Sequence, residues 1–319
     1  MRNKFHIALG LSIYALLCVN ESAAQTANSS PSRSGSTQSP AEVRKKKLPK
    51  SEPPCPIKQN LEKEITYGAY KLRTYRTPNG EGCLRITKDE KSVFYLESMA
   101  FKIGGNFYRD PGIPVGTDIT GEGKADAIVG EWSGGVHCCF TLRVFELGDQ
   151  FRKIGEIKAD DADGARFLDP GKDGHYQFEG VDWAFAYWRT SFMESPAPRI
   201  VLKYRDGGFH LALDSMKKPE PSSAKIAGIV RAIQSDEEWE RDVSSDCNEN
   251  CSVPVALWAN MLDLMYSGHP NLAWKLFDES WPPSRQGKTS FAKDFCKQLH
   301  GSHYWSDLKA EIGACPAIR

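Results

Sequence analysis

The feature that most constrains this chain is a change of rhythm at Pro221. Before it, apolar residues come in short β-branched and aromatic runs separated by Gly- and Asp-rich turns. After it, they recur at helical spacing. Tyr70-Lys71-Leu72-Arg73-Thr74-Tyr75, the turn cluster Thr77 to Gly82, and Cys83-Leu84-Arg85-Ile86-Thr87 predict an antiparallel hairpin. Val93 to Leu96, Ala127 to Val129 and Thr141 to Phe145 predict further short strands. Ile200 to Tyr204 and Phe209 to Leu213 flank Arg205-Asp206-Gly207-Gly208 as a second hairpin. Beyond Pro221, Ala224 to Ile233, Val255 to Met265, Leu272 to Phe277 with Asn271 as its cap, Phe291 to Leu299 and Trp305 to Ile312 predict helices. Trp258, Leu262, Trp274 and Phe277 are the expected helical core. The fold class is therefore α+β: a mainly antiparallel β domain over 55–217, partly propeller-like or a β-sandwich, followed by a small helical domain over 222–319.

The N-terminal residues lead to the expectation that the chain is exported. Arg2 and Lys4 precede an apolar run from Phe5 to Val19, and Ser22-Ala23-Ala24 offers small residues before a cut at Gln25. Residues 1–24 are thus expected to be a signal peptide, and the protein periplasmic or secreted. Lipidation at Cys18 is the competing reading, against which stands Leu17 where a small residue is needed. No later run is long and apolar enough to predict a transmembrane segment. Residues 25–54 are rich in Ser, Pro and Lys and hold almost nothing to bury, the composition of a disordered linker. The chain balances 41 basic against 41 acidic residues, which argues against a nucleic-acid partner.

Of 9 cysteines, eight follow the signal: Cys55, Cys83, Cys138, Cys139, Cys247, Cys251, Cys296 and Cys315. An even set in an oxidising compartment reads as a disulfide framework whose connectivity sequence cannot fix. Cys247 with Cys251 and Cys296 with Cys315 are expected pairs, and Cys55 with Cys83 is a candidate. Cys138 and Cys139 either form a vicinal bridge or each pair elsewhere. A zinc site at His137-Cys138-Cys139 is disfavoured, because no second Cys/His pair stands at zinc spacing.

Asp118-x-Thr120-x-Glu122-Gly123-Lys124-x-Asp126 carries the most chemistry. Calcium takes about 6–8 oxygen ligands, and a tight loop supplies them from alternate residues. Asp118, Thr120, Glu122 and Asp126 offer side-chain oxygens, Lys124 its backbone oxygen, and Gly123 the sharp turn. Val129 at position twelve excludes a full EF-hand, and the loop instead runs directly into the Ala127-Ile128-Val129 strand. A second stretch, Asp169-Pro170-Gly171-Lys172-Asp173-Gly174, begins 51 residues later, and both are followed by Trp-bearing segments and a strand–turn–strand.

Loop followed by strand resembles the calcium loops of FG-GAP/VCBS-type repeats, the blades of integrin-like β-propellers. The resemblance covers Asp118 to Asp214. It implies a propeller-like fold, a structural calcium ion and a non-enzymatic binding role. Thr120 and Glu122 depart from the Asn or Asp usual at the third position and the Asp usual at the fifth; Gly171 and Gln177 depart further in the second loop. The expected function is an exported, non-enzymatic binding or envelope-associated module, with an unknown protein or envelope component as partner. The alternative is an exported hydrolase using carboxylates or His137 of the β domain. Adjacent strand residues point to opposite faces, so His137 is poorly placed as a base for Cys138. Asp160-Asp161 and Asp163 read as a solvated turn.

Overall fold

Sheet formation follows the turn chemistry. In the computed structural model, which describes residues 60–105, 112–137, 139–161, 165–168, 174–241, 252–313 and 315, three four-stranded antiparallel meanders follow one another along the chain. The first comprises β1 (Asn60–Tyr67), β2 (Tyr70–Arg76), β3 (Gly82–Lys88) and β4 (Lys91–Ser98). The second comprises β5 (Ala100–Ile103), β6 (Asp126–Trp132), β7 (Phe140–Leu147) and β8 (Phe151–Asp160). The third comprises β9 (Arg166–Leu168), β10 (Gln177–Val181), β11 (Arg199–Arg205) and β12 (Gly208–Leu211). Helices α1 (Leu213–Met216), α2 (Ser223–Gln234), α3 (Val255–Tyr266), α4 (Pro270–Ser280), α5 (Lys288–His300) and α6 (Trp305–Ile312) complete the α+β fold. The expected hairpins are both present, as β2–β3 and β11–β12, but β12 ends at Leu211 and Leu213 opens α1 instead of continuing the strand. Residues 1–59, where the signal peptide and linker are expected, and the loop 169–173 lie outside the described residues.

The second sheet is the middle layer. Strand side chains alternate between faces. Ala127, Val129, Phe145 and Leu147 join Tyr70, Leu72, Leu84 and Ile86 of the first sheet in one core cluster. Ile128, Leu142, Val144 and Ile157 join Phe178, Val201 and Leu202 of the third sheet in a second cluster that continues through α2 to α6. Val144 and Phe145 are consecutive and both buried, one in each cluster, as plain alternation requires of a strand covered on both faces.

The helices pack around aromatics. Trp258, Leu262 and Phe277 are buried, and Trp274 packs against them. The segment between β10 and β11 adds Phe185, 5.1 Å from Phe295, and Trp188, 5.4 Å from Trp258. Asp182 at the end of β10 accepts hydrogen bonds from Tyr266 Oη (2.6 Å) and Ser302 Oγ. Helix α4 starts at Pro270, with His269 at the cap position. The expected Asn271 cap is displaced because proline favours the first helical turn, where its missing N–H has no intrahelical partner.

Cys296 pairs with Cys315, a sequence separation of 19. Cys83 and Cys139 are also disulfide-bonded. Their pairing, like the expectations for Cys55, Cys138, Cys247 and Cys251, lies outside the described residues. Closing a loop of this length lowers the unfolded chain's entropy, so Cys296→Ser with Cys315→Ser is expected to cost about 3 kcal/mol in urea unfolding. Unchanged stability would mean the bridge does not constrain the unfolded chain.

Candidate functional site

The Asp118 loop closes on itself before β6 begins. Asp126 N–H donates to Thr117 O (3.0 Å), and Gly116 N–H donates to Asp126 O (2.8 Å). Within that ring the two aspartates hold the turn. Asp118 Oδ1 accepts from Gly121 N–H and Oδ2 from Gly123 N–H, each at 2.8 Å. Asp126 Oδ2 accepts from Ile119 N–H (2.9 Å), Thr120 N–H (3.0 Å) and Thr120 Oγ1 (3.1 Å). Gly121 has φ +75°, and a Cβ there would lie 2.2 Å from the His175 ring. Only glycine permits that approach. His175, just before β10, also lies 3.3 Å through Nδ1 from Thr120 O.

Asp126 is fully buried. Its Oδ1 has no hydrogen-bond partner, an expensive state for a charged oxygen. Burial pushes its carboxyl above the ordinary value against the hydrogen bonds from Thr120 and Ile119, and the Asp118 charge pushes the same way. A proton or a cation at Oδ1 would relieve that cost.

Asp118, Thr120 and Asp126 are therefore brought together. Thr120 Oγ1 lies 3.4 Å from Asp118 Oδ1 and 3.1 Å from Asp126 Oδ2. Glu122 instead lies 3.6 Å from Arg152, and Lys124 Nζ donates to Glu146 Oε2 at 3.1 Å. Glu146 also pairs with Arg152, which holds its carboxyl below the ordinary range. Among the described residues no three His, Cys, Asp or Glu side chains form a ready metal cage. The loop offers two carboxylates and a hydroxyl, all hard oxygen donors of the kind calcium accepts together with backbone carbonyls and water. Sequence reading missed His175, from the segment before β10, and Arg152, from β8, which carry no signal within the motif.

The His137 region has a different chemistry. The imidazole stacks on Phe192 at 4.1 Å, and Nδ1 lies 3.9 Å from Asp161. Cys139 is in a disulfide, so it is no thiol nucleophile; Cys138 and Asp163 lie outside the described residues. Asp160 is partly buried rather than a freely solvated turn residue, and burial raises its carboxyl. Its backbone has φ +40°. No described helix is long and apolar enough to cross a membrane. No family model, curated protein or solved structure matches this chain.

Proposed function

We propose that this chain is an exported, non-enzymatic binding module whose β part is built from propeller-type blades and stabilised by calcium at the Asp118 loop. The observation that carries the reading is the buried, unpartnered Asp126 Oδ1 beside a second carboxylate. The cation would be held by Asp118 and Asp126, with Thr120 and the Lys124 backbone oxygen as further donors. It would supply positive charge that lets both carboxylates stay ionised without repulsion. No bond is made or broken in this role.

Two further observations support the blade reading. The three meanders stack in chain order through the middle sheet. Landmarks of the second and third also recur at one offset: Asp118 and Asp169, Asp126 and Gln177, and Trp132 and Trp183 are each 51 residues apart. Asp126 and Gln177 open equivalent strands, β6 and β10. The third unit has lost the carboxylate at that position, so the reading assigns one calcium to the second unit and none to the third.

Thermal melts test this directly. Binding to the native state alone adds about 2.7 kcal/mol when calcium is about 100 times Kd. The wild-type melt should rise in calcium relative to chelator, with a smaller rise in magnesium, which demands a tighter octahedron. Asp118→Ala with Asp126→Ala should erase the difference. Identical wild-type melts in calcium and in chelator would overturn the proposal.

A further inference from the structure

The most exposed large apolar side chains among the described residues converge on one end of the second and third sheets. Val136 is 88% exposed, Met193 86% and Tyr187 61%. Val136 precedes His137, whose ring stacks on Phe192; Met193 follows Phe192; Tyr187 lies 5.4 Å from the same ring. Trp183 stacks on Phe192 from its other neighbour at 4.7 Å and donates through Nε1 to Asp161 O. Phe192 thus packs with His137, Trp183 and Tyr187, and the exposed Val136 and Met193 are the chain neighbours of His137 and Phe192 in that stack.

The segment that carries Tyr187 and Met193 is held in place, not left loose. Asp182 is anchored to Tyr266 and Ser302, Ala184 O accepts from Gln298 Nε2, and Arg189 pairs with Asp294 at 2.7 Å. Tyr187 N–H donates to Ser195 Oγ, which donates in turn to Ser191 O. Tyr187 and Arg189 both have positive φ, 59° and 58°, a costly backbone for non-glycine residues that persists only when the surroundings fix it. A segment pinned at this many points cannot fold its apolar side chains inward. A ligand that covers them gains their burial without the cost of ordering the loop.

The charge beside the patch selects the ligand. Glu194, next to Met193, is exposed, and hydroxyl donation from Thr190 and Ser191 keeps its carboxyl below the ordinary range. Asp161 flanks His137 on the other side. The nearby guanidinium groups are already engaged, Arg189 with Asp294 and Arg241 with Glu238 at 2.8 Å. Two carboxylates, Glu194 and Asp161, therefore stand beside the apolar groups. We infer that this face docks a segment of a partner protein that carries apolar side chains flanked by Lys or Arg. The inference deepens the binding-module reading but does not depend on calcium.

The test uses the mature full chain with fluorescent synthetic peptides that alternate Leu and Phe with Lys, or with Glu in place of Lys. The Lys peptide should bind, more weakly as salt rises. Tyr187→Asn with Met193→Ser should weaken it by about tenfold or more. Asn tolerates the left-handed backbone at this position. Glu194→Gln, which keeps an acceptor oxygen for Thr190 and Ser191 while removing the charge, should weaken it by less. Equal binding of the Glu peptide, or wild-type binding by the double variant, overturns the inference. So does loss of the peptide signal to anionic vesicles in competition, or to self-association through the patch seen by sedimentation. Running each arm in calcium and in chelator separates the two claims: loss of the calcium effect with retained patch-dependent binding would count against the cation alone.

Discussion

Asp182→Ala should lower folding stability by about 4 kcal/mol, because three hydrogen bonds to one buried carboxylate disappear together. Oδ2 accepts from Tyr266 at the end of α3 and from Ser302 between α5 and α6, and Oδ1 accepts from Ala184 N–H at 2.9 Å. The substitution leaves both hydroxyls without that acceptor in a dry interface, where unsatisfied groups cost more than lost bonds. Tyr266 is buried, and burial followed by the Asp182 charge raises its hydroxyl well above the ordinary value. It therefore stays a donor across the accessible pH range. Tyr266→Phe and Ser302→Ala should each cost about 1–3 kcal/mol, and their effects should not add to that of Asp182→Ala, since they share one acceptor. Urea unfolding of the single and double variants checks this. Additive losses would mean that Asp182 does not join the strands to the helices as one unit.

Phe145→Ala should cost about 3–5 kcal/mol and act mainly on the first sheet. The ring is fully buried between the first and second sheets, 4.9 Å from Phe94 and 5.5 Å from Phe151. Its neighbour Val144 belongs to the other cluster, so the cavity opens on one side of the middle sheet only. Amide hydrogen exchange should quicken in β2 and β3 far more than in α3. Uniform acceleration would show that the two clusters unfold as one.

Much of the architecture was legible where local chemistry decides it. Asn79-Gly80 and Asp206-Gly207 sit at turns whose positive φ falls on Gly80, Asp206 and Gly207, and the flanking strands pair as their alternation requires. The helices of the C-terminal part follow from apolar spacing alone. What escaped were strands without an apolar signature. β1 is an exposed edge strand of alternating charge, stabilised by pairs such as Arg73 with Glu64 that only a neighbouring strand reveals. β5 and β9 have four and three residues, too few for periodicity to register. At the candidate site the sequence identified Asp118, Thr120 and Asp126, because oxygen spacing is local. It could not show that Arg152 lies beside Glu122, that Glu146 takes the Lys124 ammonium, or that His175 closes over Gly121. Those contacts join residues far apart in the chain. The pinning of the Tyr187 segment was hidden for the same reason: Asp182 meets its partners across 84 and 120 residues.

The central claim is that a cation completes the Asp118 loop. Diffraction from crystals grown with calcium tests it most directly. The account predicts a bound ion within about 2.3–2.6 Å of Asp126 Oδ1 and of an Asp118 oxygen, its remaining positions filled by backbone oxygens and water. A calcium-soaked crystal in which Asp126 Oδ1 touches no ion, and the loop keeps the same hydrogen bonds around two aspartates, would contradict it.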